Sequence, residues 1–191
     1  MVGTLDEFRS QFVGGGARPN QFKVEILAPP GISTGLDSRN ASFLAKAASL
    51  PALTIPPIEV PFRGRKIYIA GDREFADEWT VTFLNDTNFG LRDSLERWNH
   101  GINELDTGRG VTVSSDYQAD LTVQQLDRDD KVLKTYVFKD CWPTSVGAIE
   151  LNTETVNTIE EFEVSWRYNH FTSSNVVTGT EVVINSLAGA T

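Results

Sequence analysis

Four acidic residues lie within seven positions of the sequence, just before a segment with strand character: Asp72, Glu74, Asp77 and Glu78. Two carboxyl groups beside a sugar can act as acid and base in glycoside hydrolysis, provided that the pKa of one of them is raised. Carboxylates also bind metal ions. The alternative is a solvated turn, because Gly-Asp is typical of turns and neighbouring acidic residues are common on protein surfaces. We favour the turn, since Glu78 falls on the polar face of the segment that follows.

Residue types for other kinds of chemistry are scarce. The chain has two histidines, His100 and His170, and one cysteine, Cys141. Their spacing matches neither a zinc site nor a nucleophile–histidine pair. The three glycines at 14–16 are not followed by Lys-Ser or Lys-Thr, so they do not form a phosphate-binding loop. The sequence predicts no catalytic residue, no cofactor and no metal ligand, and Cys141 is interpreted as a small buried residue.

Length and charge limit the classes of function. The 191 residues suit one domain, or one domain with extended arms, and 40% of them are hydrophobic, as in ordinary globular proteins. The formal net charge of −9 opposes tight binding to nucleic acid, which depends on neutralised phosphates. No apolar run reaches membrane-spanning length and the first residues lack the pattern of a signal peptide, so we predict no membrane anchor.

The elements that position these residues are mostly strands. Apolar and polar residues alternate most clearly in "EWTVTFL" and "EEFEVSWRY". Further strands are predicted at 21–27, 42–49, 65–70, 117–126 and 132–141, with another extended segment after them. The last two strands flank the turn sequence "DRDD" and are expected to pair as a hairpin. Residues 50–61 are predicted to form an irregular extended arm, because prolines at 51, 56, 57 and 61 exclude a long helix and a central strand.

One long helix and one short helix are predicted. The long helix follows "FLND", and we expect Asn88 or Thr87 to cap its start. Its apolar stripe consists of Leu91, Leu95, Trp98 and Ile102, at spacings of four, three and four. The short helix lies near the N-terminus, with Leu5, Phe8 and Phe12 at helical spacing, and the glycines at 14–16 follow it as a flexible joint. Together these elements predict a mainly β fold, an antiparallel β sandwich or barrel with one helix packed across it.

A short basic patch lies between the predicted arm and the strand at 65–70. It consists of Arg63, Arg65 and Lys66 in "PFRGRKIY". Such a patch is usually a solvated turn. It can also be the complement of an acidic cluster on another subunit.

Several separate segments together resemble a known family. They are "ARPNQFKVEI", "GRKIYIAGDREFADEWTVTFLND", "WPTSVGAIEL" and "TIEEFEVSWRYNHF", in that order. They are similar to the tail tube protein of contractile-tailed bacteriophages, from about Ala17 to about Phe171. The resemblance implies a β sandwich or barrel flanked by a helix, and a structural protein rather than an enzyme. Two stretches depart from the family pattern: loop 28–40 is longer than expected, and 172–191 reads as a C-terminal extension. We therefore divide the chain into an arm at 1–20, a tube domain at 21–171 and that extension.

The resemblance also implies an assembly. Six copies form a ring, and rings stack into a rigid hollow tube inside a contractile sheath, through which viral DNA is ejected. The implied partners are other copies, the sheath, the baseplate and the tail terminator. The implied location is the virion, after assembly in the host bacterial cytoplasm. Tubes of phage-like bacteriocins and of type VI secretion share the fold, so a phage-derived injection particle is an alternative. A monomeric carbohydrate-binding or hydrolytic β sandwich is a third reading, from a different class.

Two sets of site residues are expected on this basis. The candidate subunit-interface residues are Arg18, Phe62, Arg63, Arg65, Asp72 and Arg73. The candidate lumen-facing residues are Glu25, Glu161 and Glu163, on the polar faces of their strands. An acidic lumen repels phosphate, so DNA is expected to pass without specific binding.

Overall fold

The computed structural model of the chain describes residues 4–10, 16–75, 77–177 and 180–183. The helices are α1 (Leu5–Ser10), α2 (Ser38–Leu44), α3 (Gly90–Ile102) and α4 (Ser114–Tyr117). The strands are β1 (Phe22–Ile26), β2 (Ala45–Ala48), β3 (Pro57–Phe62), β4 (Arg65–Ala70), β5 (Trp79–Leu84), β6 (Ala119–Leu126), β7 (Val132–Val146), β8 (Glu161–Arg167), β9 (His170–Val177) and β10 (Thr180–Val183). The fold is mainly β, as the sequence predicts.

Eight of these strands form one antiparallel sheet that folds over on itself along β7. The first part of β7 pairs with β6 and β9, and its last residues pair with β8. Asp140 has a φ of 58° just before the pairing changes, since Cys141 is the last residue to pair with β6, and the register with β8 shifts between Pro143 and Ser145. Such irregularities bend a strand, so β7 passes from one layer into the other. We call β1, β6, the start of β7, β9 and β10 the first sheet, and β2, β5, β8 and the end of β7 the second sheet.

The core lies between the two sheets. Alternate residues of the strands point inward, and the resulting buried set includes Val24, Ile26, Val81, Phe83, Leu121, Val123, Phe138, Phe162 and Val164. Trp79 of the second sheet stacks on Phe138 of the first, with ring centroids 4.4 Å apart. The two sheets therefore pack face to face as a sandwich, which confirms the predicted fold class.

Helix α3 packs on this sandwich through its apolar stripe. Leu91, Leu95 and Trp98 are buried, and the ring of Trp98 meets Trp166 of β8 edge-on, with centroids 5.3 Å apart. The indole Nε1 of Trp98 donates to the carbonyl of Tyr117 at 2.7 Å, so its polar atom is satisfied inside the core. The predicted helix and its stripe are confirmed.

Three expectations from the sequence are corrected. The strand predicted at 42–49 is a strand only over β2, because α2 occupies the residues before Ala45. The arm predicted at 50–61 becomes regular at Pro57, where β3 begins. The predicted cap of α3 is wrong, since the N-cap is Phe89, in the left-handed region with φ 55°, and no side chain caps the helix. A turn held by the Phe89 N–H and the Asp86 carbonyl, 3.0 Å apart, sets this start.

Candidate subunit interface

A separate β hairpin, formed by β3 and β4, holds most of the residues that the sequence singled out. The strands pair from Pro57 with Ala70 to Phe62 with Arg65. The turn between them is Arg63-Gly64, with φ values of 46° and 78°. Positive φ at both central residues is the geometry of a type I′ turn, which suits the twist of a two-residue hairpin. Every residue of both strands is exposed, and the hairpin pairs with no strand of the sandwich among the described residues.

The two faces of this hairpin differ sharply. Because side chains alternate along a strand, one face carries only one charged residue, Arg65, among apolar side chains. The apolar side chains of that face are Ile58, Val60, Phe62, Ile67 and Ile69, each between 38% and 58% exposed. We call these five residues the apolar hairpin face. The opposite face carries an ion pair between Lys66 and Glu59 beside Tyr68.

The prolines of β3 protect one edge of the hairpin. The N–H of Gly71 donates to the carbonyl of Pro56 at 2.9 Å, which makes these two residues a hydrogen-bonded pair. Hydrogen-bonded pairs alternate with non-bonded pairs along an antiparallel ladder, so Pro57 and Pro61 occupy the non-bonded positions. At these positions an N–H group would point away from β4, so the lack of an N–H in proline removes no hydrogen bond of the hairpin. Proline is tolerated there, and it hinders the addition of a further strand at the β3 edge.

The apolar hairpin face is exposed in the part of the chain that the structure describes. Five neighbouring aliphatic and aromatic side chains form a patch that monomeric proteins generally bury, and exposed patches of this kind mark interaction surfaces. A two-stranded hairpin is also marginal in stability on its own. The local pairing orders the hairpin, and among the described residues its apolar face is exposed.

The six candidate interface residues divide into two groups. Phe62, Arg63 and Arg65 lie at the tip of the hairpin, and Asp72 and Arg73 follow directly after β4. Arg18 lies elsewhere, where its carbonyl accepts a hydrogen bond from the side-chain amide of Gln125 at 2.7 Å. Five of the six candidate residues therefore lie on the hairpin or just after its second strand.

The acidic cluster that precedes β5 is dispersed along a solvated connection. Asp72, Glu74, Asp77 and Glu78 are all exposed, and Glu74 forms an isolated backbone bridge with Thr54. Within the part of the chain that the structure describes, no group of three or more His, Cys, Asp or Glu residues is placed to hold a metal ion. The geometry agrees with a turn and gives no enclosed pair of carboxyl groups.

The candidate lumen residues lie on two different surfaces. Glu25 is on the outer face of the first sheet, where it pairs with Lys23. Glu161 and Glu163 are on the outer face of the second sheet, alternating with the buried residues of β8. Glu161 pairs with Lys46, whereas Glu163 forms no ion pair with any described residue. The structure brings Glu161 and Glu163 together and places Glu25 apart from them.

Sequence reasoning missed a second exposed apolar surface, in the connection between β7 and β8. Leu151, Val156 and Ile159 are between 63% and 82% exposed there. Acidic residues flank them. Leu151, Ile159 and Glu150 all line an open pocket of about 740 Å³. We call residues 148–160 the acidic apolar loop. Apolar residues without helical or strand period, in a long connection, are the signal that could have identified it.

Comparison with known proteins identifies the family. The sequence profile of the phage tail tube protein family matches residues 17–174. The chain belongs to this family. It is 36% identical over 167 residues to the tail tube protein gp19 of Enterobacteria phage T4, an alignment that covers 84% of this chain and 94% of the relative. It is 30% identical over 169 residues to the tail tube protein of Serratia phage KSP90, covering 87% and 95% of the two chains.

Solved structures agree on the fold. One match is a chain of the sheath–tube complex of the extracellular contractile injection system PVC, with a TM-score of 0.58, 16% identity, and 87% and 97% of the two chains covered. A chain of the anti-feeding prophage baseplate has a TM-score of 0.60, 13% identity, and 84% and 97% covered. As a member of the phage tail tube protein family, the chain is a structural subunit of a contractile phage-like tail and not an enzyme, which removes the hydrolytic reading of the acidic cluster. No helix in the described ranges has the length and apolar character required to cross a membrane.

Proposed function

We propose that this tail tube protein forms hexameric rings that stack into the inner tube of a contractile phage tail. The apolar hairpin face is the observation that carries the proposal, because it is an ordered apolar surface that the described residues of one subunit leave exposed. Identity to phage tail proteins is also about twice that to the injection-system tube, which favours a virion over a phage-derived particle. Capsid and terminase genes beside the coding sequence would agree with a virion.

The acidic apolar loop of a second copy is the surface that fits the hairpin. Both surfaces expose branched aliphatic side chains, whose burial contributes roughly 25 cal/mol for each Å² removed from water. Their charges are opposite: Arg63 and Arg65 lie on the hairpin, and Glu150 and Glu154 lie on the loop. None of these four has an ion-pair partner within the described ranges. Opposite charges at an interface fix the register and the partner more than they raise the affinity.

A contact between two different surfaces of one chain is heterologous. Such contacts make closed rings or open stacks, according to the rotation between neighbours. Both arrangements are needed for a tube of stacked rings. The hairpin therefore supplies a contact of the right type for either step of assembly.

The other proposed partners are the proteins that surround or end such a tube, and the DNA that passes through it. The structural relatives are chains of a sheath–tube complex, a tube-terminating cap and a baseplate, and we extend these contacts to this chain. DNA passes through the lumen into the host. The net charge of −9 for each copy supports passage without binding, because an acidic surface makes no phosphate contacts. Assembly takes place in the bacterial cytoplasm, and the product is part of the virion.

Charge exchange tests the hairpin contact. The double variant Arg63→Glu/Arg65→Glu places like charges at the interface and is expected to lower tube formation at least tenfold. Glu150→Lys/Glu154→Lys is expected to do the same. All four changes together restore opposite charges and are expected to recover assembly, measured by sedimentation and negative-stain microscopy.

The control is Arg128→Glu, an exposed charge in the turn between β6 and β7, which should assemble normally. If the quadruple variant assembles no better than either double variant, while its thermal unfolding is unchanged, the proposed pairing is wrong. A wild-type chain that stays monomeric at every concentration, with a baseplate template present, would remove the tube function itself.

A further inference from the structure

The acidic apolar loop runs over residues 148–160 without a helix or strand, yet the chain is fixed on both sides of it. Asn152 orders the middle of the loop: its side-chain oxygen accepts from the N–H of Glu154 at 2.9 Å, and its carbonyl accepts from the N–H of Thr155 at 3.2 Å. Ordering a loop at the moment of binding lowers affinity. Contacts that hold the loop beforehand therefore favour docking without touching the partner.

The side chain of Arg92, on α3, contacts the chain on both sides of this loop. Its Nη1 donates to the carbonyl of Gly147 at 2.9 Å, directly before the loop. Its guanidinium carbon lies 5.3 Å from the ring centroid of Phe162, just after the loop. An ion pair with Glu96, at 2.7 Å, fixes the guanidinium from the helix side. Arg92 therefore ties both ends of the loop to α3.

The two strands beside the loop also approach each other closely at Gly147. The N–H of Gly147 donates to the carbonyl of Glu163 at 2.7 Å. A Cβ at position 147 would lie 2.8 Å from that same carbonyl oxygen, so the approach requires glycine. The base of the loop is therefore narrow and fixed by the backbone.

Asn85, in the connection from β5 to α3, holds the last residue of the loop. Its backbone N–H donates to the carbonyl of Glu160, and its side-chain amide donates to the carboxylate of Glu160, both at 2.9 Å. The Oδ1 of Asn85 is buried and accepts no hydrogen bond from the described residues. A buried carbonyl without a donor costs stability, so this amide is better suited to holding Glu160 than to stabilising the fold.

We propose that Asn85 and Arg92 are positioning residues for assembly, which hold the acidic apolar loop in the conformation that receives the hairpin of a second copy. The inference rests on the proposed contact between hairpin and loop. The side chain of Arg92 is only 18% exposed, and Asn85 is partly buried beneath the end of the loop. Both residues therefore act on assembly through the loop.

Asn85→Ala in the full chain tests this role. The variant removes the bond to Glu160 and also the unpaired carbonyl, so the midpoint of thermal unfolding is expected to stay near that of wild type. The critical concentration for tube formation is expected to rise at least tenfold. Hydrogen–deuterium exchange of the unassembled protein should become faster in residues 148–160 and stay unchanged in β5 and β8. A purely structural role would not confine the faster exchange to the loop.

Two further variants separate the hydrogen bond from the charge of Glu160. Glu160→Ala and Glu160→Gln both remove the charge, but only glutamine keeps an acceptor for the Asn85 amide. Glu160→Ala is therefore expected to need at least a tenfold higher protein concentration for assembly than Glu160→Gln. Equal assembly of the two would overturn the inference.

The matched control is Thr107→Ala, which removes another side-chain hydrogen bond to a glutamate, Glu104, in the exposed loop after α3. It should assemble normally. Normal tubes from Asn85→Ala would overturn the inference and leave the tube function standing. Faster exchange throughout the sandwich of Asn85→Ala would show that Asn85 holds the fold and would overturn the inference as well. The charge-exchange variants test the underlying contact separately, so a failure there is distinguishable from a failure of Asn85→Ala.

Discussion

Trp79 and Phe138 stack with ring centroids 4.4 Å apart, and they come from the two different sheets of the sandwich. Both rings are buried, and Phe138 also meets Tyr168 edge-on at 5.0 Å. This aromatic contact joins the layers at the place where β7 passes between them. The sandwich can therefore hold its shape in a single subunit, while the surfaces proposed to join subunits lie outside the core.

Phe138→Ala is expected to lower the free energy of unfolding by about 3–5 kcal/mol, because it removes a buried ring and leaves a cavity between the sheets. Chemical denaturation followed by tryptophan fluorescence measures the loss. Val137 is the preceding residue and lies on the outer face of the same strand. Val137→Ala should therefore lower the free energy of unfolding much less. Equal losses for the two variants would show that the stacked pair does not hold the layers together.

Asp72→Lys is expected to impair assembly and leave folding intact. Asp72 is exposed at the base of the hairpin, so reversing its charge should change the free energy of unfolding by no more than about 0.5 kcal/mol. We predict that Asp72 pairs with a basic residue of a neighbouring subunit, outside the contact of the hairpin tip, so a lysine in its place would meet a like charge and oppose docking. Sedimentation measures assembly and thermal unfolding measures stability. Asp129→Lys, in the exposed turn between β6 and β7, is the control, and normal polymerisation of Asp72→Lys would remove the role of Asp72.

The buried thiol of Cys141 makes stability depend on alkaline pH. Burial raises the pKa of Cys141 from 9.0 to about 12. In the unfolded chain the thiol ionises near pH 9, whereas in the folded chain it stays protonated up to about pH 12. The raised pKa therefore contributes stability that is complete below pH 9 and is lost as the pH rises toward 12, at up to about 1.4 kcal/mol per pH unit.

Cys141→Ala isolates this contribution. The difference in unfolding free energy between wild type and Cys141→Ala should be constant below pH 9 and should shift against the wild type above it. Other groups that titrate at high pH are present in both proteins and cancel, except for the part of the raised pKa of Tyr168 that is due to the charge on Cys141. A thiol reagent should react with wild type at pH 8 only at the rate of unfolding. A fast reaction with folded protein would contradict the burial that raises the pKa.

Glu163→Lys is expected to slow DNA ejection from triggered virions, since Glu163 is an exposed acid whose charge no described residue balances by an ion pair. A lysine in the lumen would add a phosphate contact for each copy. Glu25→Lys is the matched comparison on the outer face of the other sheet. If Glu25→Lys slows ejection and Glu163→Lys does not, the first sheet lines the lumen. Unchanged ejection for both, with tubes intact, would remove the acidic-lumen hypothesis.

The local sequence was sufficient to predict the strands that carry a clear alternation and the helix that carries a clear stripe. In β5 and β8 every residue predicted to face inward is buried, because a side-chain period of two leaves one choice of face once the apolar residues are known. The stripe of α3 was predicted for the same reason. The predicted hairpin between β6 and β7 also formed, since a short turn leaves two neighbouring strands little choice of partner.

The tertiary structure decided what depends on contacts between distant parts of the chain. Alternation in β3 and β4 predicts an apolar face, but only the tertiary structure shows that this face is exposed among the described residues. The prolines of β3 suggested an irregular arm, and the ladder instead places them where no N–H is required. The positions of Glu25 and Glu163 on opposite faces likewise follow from the fold of β7 between two sheets. Local patterns fix which way a side chain points from its own strand, whereas the pairing of distant strands fixes which surface it joins.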